Sequence, residues 1–219
     1  MRDMHKYDLH KLLKEELKNG SSDLVTRPSG QVVRNRIEAD IGKEENGSVI
    51  ALDFSKIGII DYSCADEIVA KLISRLLGGE YGNKYLTLTG LNENQEENIE
   101  VALERKDLAV IAEKRDGRKV LLGSLHNYLK ETLDLILKNG SLTAKELSQA
   151  MNLEANTSGT RLLNLHKKRL VKRREKEERG SGSGRGLIFR GCSKRNRQSE
   201  AGNRKNAHPY FRWTGRRGQ

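Results

Sequence analysis

The apolar residues between Ser48 and Gly123 change spacing repeatedly, and this alternation restricts the chain to few folds. Ser48–Phe54 is a short apolar run bounded by turn residues, which is typical of a buried strand. Cys64–Leu77 has an apolar face at helical spacing and is followed by two glycines. Further elements follow at Lys84–Thr89 (strand), Asn92–Lys106 (helix), Leu108–Ala112 (strand) and Lys119–Leu122 (strand), the last two flanking the hairpin dipeptide Asp116-Gly117. The pattern predicts an α/β fold in which one sheet carries packed helices.

Two helices are expected before this region. Leu9–Leu17 has leucines at helical spacing and is followed by an Asn-Gly pair, a helix-stop signal. A second amphipathic helix is predicted over Ser29–Ile41, with Pro28 or Ser29 as its start. We therefore expect an N-terminal helix in residues 1–22 and an α/β domain in residues 23–123.

A different pattern begins after Gly123 and consists of three helices and a basic hairpin. Helical spacing marks Leu125–Leu137, Ala144–Met151 and Thr157–Arg169, and Thr143 with Glu146 forms a capping box before the second helix. Two strands, Lys172–Glu178 and Leu187–Arg190, flank a glycine-rich stretch. We expect a folded domain over residues 124–192 and a disordered basic tail over residues 193–219, where no periodicity remains.

Positive charge is concentrated at the C-terminal end. The chain has 41 Lys and Arg against 30 Asp and Glu, a formal net charge of +11. Arg161–Gln219 contains 19 of these basic residues and 4 of the acidic ones, a net charge of +15, whereas the 160 residues before it carry −4. Charge that is segregated in this way indicates an anionic partner for the C-terminal part, with nucleic acid the first candidate.

Three short helices followed by a basic hairpin is a layout that places the third helix in the major groove of duplex DNA. Leu162 and Leu165 are expected to face the core, leaving a polar stripe that contains Arg and Asn. The side chains of Arg and Asn match the edges of guanine and adenine, and a helix N-terminus suits phosphate. The residues predicted to contact DNA are Thr157, Ser158, Arg161, Asn164 and Lys168 on the helix, and Arg173, Arg174, Arg179 and Arg185 on the hairpin.

The run Leu165-His-Lys-Lys-Arg-Leu-Val-Lys-Arg173 resembles the end of the recognition helix in bacterial winged helix-turn-helix transcriptional regulators. The similarity extends over roughly residues 125–191. Arg169 stands where those proteins usually have a glycine, which weakens the helix stop. The resemblance implies a DNA-binding domain that acts in transcription regulation.

The stretch Val49–Val69 resembles the STAS family of bacterial anti-sigma factor antagonists, and more closely its STAS-like branch, over roughly residues 24–123. Asp53-Phe54-Ser55 ends a strand, and Asp61-Tyr62-Ser63 opens a helix. In the antagonists, a serine at the position of Ser63 is phosphorylated by an ATP-dependent kinase that also sequesters a sigma factor. Ser63 is therefore a candidate phosphorylation site, with an ordinary helix cap as the alternative. Tyr62 and Cys64 depart from the antagonist motif, and Ala65-Asp66-Glu67 fits the STAS-like branch.

Several functions remain open at this point. The first is a DNA-binding regulator with a STAS-like sensor or docking domain. The second is a STAS-like adaptor for a histidine-kinase-type ATPase or an anti-sigma-type protein, with the winged helix as a protein-docking module. The third is an RNA-binding protein whose tail stacks Tyr210, Phe211 and Trp213 on bases. The helices at Leu9–Leu17 and Leu125–Leu137 could form a homodimer interface, although core packing explains the same spacing.

Other classes of protein are disfavoured. The five histidines are scattered, no His/Cys cluster has metal-ligand spacing, and no glycine motif for a nucleotide cofactor follows a strand. We therefore expect no enzyme, no cofactor and no metal. No segment approaches the roughly 20 apolar residues that span a bilayer, so no membrane partner is expected. The two cysteines, Cys64 and Cys192, are far apart, which favours a reducing, cytoplasmic location.

Overall fold

The structure is a computed structural model of the chain, and it describes residues 4–17, 21–176 and 186–192. Its larger sheet has five strands in the order β1-β2-β3-β4-β5. They are Met4–Asp8, Val49–Asp53, Tyr85–Leu91, Ala109–Lys114 and Lys119–Gly123. Strands β1 to β4 run parallel, and β5 returns antiparallel to β4 after a turn in which Gly117 has φ of 82°. The predicted α/β class is confirmed at this level.

The connecting helices cover one face of this sheet. They are α1 (Leu9–Leu17), α2 (Arg27–Ile41), α3 (residues 62–77) and α4 (Glu93–Glu104). Helix α3 contains a π-helical turn, Asp66–Ala70, between the α-helical segments Tyr62–Ala65 and Lys71–Leu77. Since strand order follows chain order and parallel crossovers are right-handed, successive connections fall on the same side. The strand residues that share a core with these helices are Ile50, Leu52, Leu86, Leu88, Val110, Ala112 and Leu122.

The C-terminal elements form a second group of helices and strands. They are α5 (Asn127–Asn139), β6 (Ser141–Thr143), α6 (Ala144–Met151), α7 (Ala155–Lys167), β7 (Val171–Lys176) and β8 (Gly186–Gly191). The three strands form an antiparallel sheet in the order β6-β8-β7. We refer to residues 124–176 and 186–192 as the C-terminal unit, and to the described residues before them as the α/β unit.

The C-terminal unit covers the second face of the large sheet. Ala109 and Ile111 of β4 lie in one hydrophobic cluster with Leu133 of α5 and Leu162 of α7. Val49 of β2 and Tyr85 of β3 pack against Cys192. Every residue of β2 is consequently buried, as expected for a parallel strand with both faces covered. The chain boundary near Gly123, which the sequence predicts, does not separate two independent cores.

Strand β1 is not predicted by the sequence analysis. Met4–Asp8 pairs in parallel with Val49–Asp53. The segment is mostly polar, which is tolerated because β1 lies at the edge of the sheet. Helix α1 follows it directly and has the predicted bounds. The division that treats residues 1–22 as a separate N-terminal helix is therefore wrong for residues 4–17, which are part of the α/β unit.

The polar signals at helix ends are mostly those that the sequence predicts. Helix α2 begins at Arg27 rather than at Ser29, because Thr26 is its N-cap and accepts a hydrogen bond from the Ser29 amide at 3.3 Å. The capping box before α6 is confirmed: the Glu146 amide donates to Thr143 Oγ1 at 3.2 Å, and the Thr143 amide donates to Glu146 Oε2 at 2.6 Å. Over the described ranges, no helix is both long enough and apolar enough to cross a membrane.

Candidate nucleic-acid interface

Helix α7 is held in place by its own apolar face and by the turn before it. Leu162 and Leu165 are fully buried in the cluster that joins α5, α7 and the large sheet. Asn152 closes α6 in a left-handed conformation with φ of 50°, and α7 begins three residues later at Ala155. This short turn packs α7 against α6, and no element among the described residues covers the far side of α7.

The solvent face of α7 is not the one that the sequence analysis proposes. Besides Ala155 and Thr157 in the first turn, the exposed side chains are those of Asn156, Thr160, Leu163 and Lys167, which are spaced by four, three and four residues. At 3.6 residues per turn, this set lies opposite Ser158, Leu162 and Leu165. Leu163 is 38% exposed although it is apolar. We call these four residues together with Gly159 the outer face of α7.

The predicted stripe lies on the flank of α7 instead. Thr157 is exposed and Asn164 is half-buried. Arg161 turns towards α5, where its Nη1 donates to the Tyr128 carbonyl at 3.3 Å and its guanidinium lies 5.3 Å from the centre of the Tyr128 ring. Lys168 approaches the α/β unit, with its Nζ 3.8 Å from Asp107 Oδ2. Two of the predicted base contacts are therefore engaged within the protein.

The position of Ser158 does not agree with the prediction that it contacts DNA. Its side chain is fully buried, and its hydroxyl has no hydrogen-bond partner among the described residues. A phosphate outside the helix cannot reach it in this conformation. Ser158 continues the 4/3 spacing of Leu162 and Leu165 and belongs to the inner face of α7.

The hairpin arginines are partly within the described residues. Arg173 and Arg174 of β7 pair with Phe189 and Ile188 of β8, and both arginines are exposed. Two exposed positive charges therefore follow α7 closely in the chain. Arg179 and Arg185 lie outside the described residues.

Arg169 ends α7 in the way that a glycine usually does. Its φ is 59°, and the Leu170 amide donates to the Leu165 carbonyl at 3.1 Å, a hydrogen-bond pattern found at helix C-termini with a left-handed residue. Its guanidinium donates to the Gly82 carbonyl at 3.2 Å and to Asn83 Oδ1, at the start of β3. These contacts give the side chain a role in joining the two units, which a glycine could not have.

Tyr85 is at the centre of the contact between the units. It is 2% exposed, and its hydroxyl lies 3.3 Å from His166 Nδ1 on α7. The guanidinium of Arg169 and the ammonium of Lys172 lie 5.8 and 5.6 Å from the centre of its ring, and Lys172 Nζ donates to the Gly47 carbonyl. Burial raises the pKa of Tyr85 to about 12. The tyrosine therefore stays neutral and its ring accepts cations from the C-terminal unit.

Ser63 lies near the N-terminus of α3. Asp61 is the N-cap and accepts from the Cys64 amide at 2.8 Å, while Ser63 Oγ donates to Asp61 Oδ1 at 2.9 Å. Ser63 is half-buried and is not itself the cap. A phosphate on this hydroxyl would lie beside the Asp61 carboxylate. The repulsion between these two negative charges would oppose the attraction of the helix dipole for the phosphate.

A buried ionic network surrounds the π-helical turn. Glu67 is 2% exposed and pairs with Lys71 at 2.5 Å, with Arg27 at 3.0 Å and with Arg34. Asp66 pairs with Arg27 at 3.2 Å and with Lys106. Burial opposes ionisation of both carboxyls, yet these positive charges hold the pKa of each below its ordinary value. The network joins α2 and α3 to the segment that follows α4, and both of its carboxylates are paired with positive charges.

No protein-family model matches the chain, and no curated protein matches it. In the part of the chain that the structure describes, no group of three or more His, Cys, Asp or Glu side chains could hold a metal ion.

Proposed function

We propose that this chain is a DNA-binding regulator. In this proposal the C-terminal unit is a winged helix-turn-helix domain that binds duplex DNA through α7 and the β7–β8 hairpin. The α/β unit is a STAS-like sensor domain that docks a protein partner.

The observation that carries the proposal is the outer face of α7. The order helix, strand, helix, helix, strand, strand, with β8 between β6 and β7, supports a winged helix, because that arrangement supports the third helix from behind and leaves its front free for the major groove. Leu162 and Leu165 are buried, while Asn156, Thr160 and Leu163 stay exposed. Helix α7 is 13 residues long, which is enough to cross the major groove.

Charge supports the choice of DNA over a neutral partner. Arg173 and Arg174 are exposed on the strand that follows α7, and the segment from Arg161 onwards carries a net charge of +15. Contacts between such residues and phosphates release counterions, so binding should weaken steeply as salt rises.

The test is fluorescence anisotropy of a labelled random-sequence duplex with the full chain over a series of salt concentrations. The full chain is needed because Ala109 and Ile111 complete the core of the C-terminal unit. We expect binding at low salt and a linear fall of log affinity with log salt. The double variant Arg173→Ala/Arg174→Ala should reduce the slope by about 2.

The matched control removes the same charge from the α/β unit. Arg36→Ala/Arg118→Ala replaces two arginines that are 47% and 73% exposed, and it should leave the slope unchanged. Absence of duplex binding at low salt, or equal losses in both double variants, would overturn the proposal. Tighter binding of single-stranded RNA than of the duplex would favour the RNA-binding alternative.

A second role, docking of a protein partner, is favoured by an apolar patch on the α/β unit. Val25 and Ile59 are 50% and 52% exposed and lie on neighbouring segments, since the Leu24 amide donates to the Ile59 carbonyl at 2.8 Å. Asp61 and Ser63 follow directly. We propose this patch as the docking site for an ATPase or anti-sigma-type protein, with Ser63 as its candidate phosphorylation site. Val25→Asp/Ile59→Asp should abolish capture of such a partner and leave DNA affinity unchanged; capture that persists in this variant would rule out the patch.

A further inference from the structure

We infer that α7 selects A·T-rich DNA in the major groove, with Asn156 reading adenine and with Leu163 and Thr160 contacting the methyl groups of thymine. The inference rests on the proposed function and adds the class of sequence that the protein prefers.

The first argument is the chemistry of the outer face of α7. Guanine is read by paired donors from Arg or Lys, whereas adenine is read by the donor and acceptor of Asn or Gln. The one arginine in α7, Arg161, is turned towards Tyr128, and Lys167 is at the C-terminal end of the helix, far from the N-terminal residues that reach base edges. Asn156 is exposed in the first turn of α7. The side chain best placed for a base edge is thus one that matches adenine.

The second argument is the apolar part of the same face. Leu163 exposes 38% of its surface, and Thr160 Oγ1 donates to the Asn156 carbonyl at 2.9 Å. Because the hydroxyl proton of Thr160 is used within the helix, Thr160 offers a base no donor, and its methyl group is the part that can make an apolar contact. Thymine alone presents a methyl group in the major groove, and apolar side chains contact it.

The third argument is Gly159. A glycine inside a helix lowers stability relative to alanine, so it requires a reason. Apart from the backbone of α7 itself, a methyl group at this position would meet no atom of the described residues within 4 Å. Packing inside the protein does not call for a glycine here. A close approach of the helix backbone to the surface of a partner would require a glycine. Gly159 lies between Asn156 and Leu163 along the same side of α7.

The experiment has two stages and uses the full chain. Random duplexes are first selected for binding, and the enriched sequences are read. We expect enrichment of A·T pairs in the selected duplexes. The thymines of the best duplex are then replaced singly by uracil, which removes only the methyl group. Loss of one contacted methyl should weaken binding about fourfold.

Variants assign the contacts to residues. Leu163→Ala should remove the sensitivity to uracil at the thymine that Leu163 contacts, while Leu77→Ala, a leucine of similar exposure (37%) on α3, should keep it. Asn156→Ala should lower affinity roughly tenfold or more and relax the preference for adenine. Gly159→Ala should raise the temperature of unfolding and yet weaken binding about tenfold.

The outcomes separate this inference from the proposed function. If no duplex binds at low salt, the proposed function fails. If duplexes bind but G·C pairs or no sequence are enriched, or if uracil has no effect at any position, the inference on sequence class fails while DNA binding stands. Gly159→Ala with unchanged affinity would overturn the role given to that glycine.

Discussion

The hydroxyl of Tyr85 lies 3.3 Å from Nδ1 of His166, and this contact joins the large sheet to the helix proposed to read DNA. The His166 ring is 6.3 Å from the Tyr85 ring and 6.5 Å from that of Phe189, so it fills the space between the sheet and the hairpin. The two units therefore share an aromatic contact as well as an apolar core.

Replacement of Tyr85 should destabilise both units together. Tyr85→Ala removes a buried aromatic ring and should lower the free energy of unfolding by about 3–5 kcal/mol. Tyr128→Ala, which removes a ring that is 40% exposed, should cost clearly less. Urea denaturation followed by circular dichroism gives both values, and equal losses would contradict the central position of Tyr85.

Two glycines should respond to alanine in opposite ways. Gly159→Ala should stabilise the chain by about 1 kcal/mol, because alanine fits the open space and favours a helix. Gly123→Ala should destabilise it, because Gly123 has φ of +88° and a Cβ there would clash with the Leu108 carbonyl oxygen. Thermal denaturation of the two variants side by side checks the signs.

Acid should weaken the fold through Glu67. Burial acts to raise its pKa, but the hydrogen bond from Lys71 and the charges of Arg34 and Arg27 outweigh burial and lower the pKa below 4.5. A lowered pKa in the folded state contributes stability above pH 4.5, and that stability is lost as pH falls through the folded-state pKa. Glu67→Gln should cost about 3 kcal/mol at pH 7 and flatten the loss of stability in acid.

The control for this prediction is Glu97→Gln, which neutralises an exposed glutamate of α4. It should leave the unfolding free energy at pH 7 and its fall in acid close to those of the unaltered chain. A Glu67→Gln variant with an unchanged pH profile would show that other carboxyls account for acid sensitivity.

Both cysteines should be unreactive in the folded chain. Burial raises the pKa of Cys64 and of Cys192 to about 12, and the Cys64 thiol donates to the Thr26 carbonyl at 2.9 Å. At pH 8 few thiolates are present, so an aromatic disulfide reagent should react roughly a hundredfold more slowly than with a free thiol. The denatured chain should titrate two thiols. Rapid labelling of either cysteine before unfolding would refute this.

The sequence predicts the elements with strong periodicity well. Buried strands, amphipathic helices and the capping box at Thr143 and Glu146 follow from local spacing, and local chemistry decides them. Strand β1 is different, because Met4–Asp8 has no apolar alternation and becomes a strand only by pairing with Val49–Asp53. The covering of the second sheet face by the C-terminal unit is likewise a long-range contact that spacing does not show.

The sequence places the candidate DNA contacts on α7, but the side of α7 that is most exposed along its length is a different one. A stripe through Thr157, Arg161 and Asn164 lies about a quarter turn from the core residues, whereas the opposite side passes through Asn156, Thr160 and Leu163. The spacing of Ser158 to Leu162 and Leu165 indicates that all three residues lie on the inner face of α7, and all three are buried. The attraction of Arg161 to the Tyr128 ring is a tertiary contact and was not predictable from spacing.

The position of α7 relative to the strands determines where it lies with respect to the proposed docking patch. The residues that end α7 contact Gly82, Asn83 and Asp107, which precede β3 and β4. Ile59 follows the end of β2, and Val25 lies on the segment that pairs with it. One strand of five residues, roughly 17 Å, separates these two ends of the sheet. The proposed docking patch and the C-terminal end of α7 therefore lie at opposite ends of these strands, so the large sheet connects the two proposed binding surfaces.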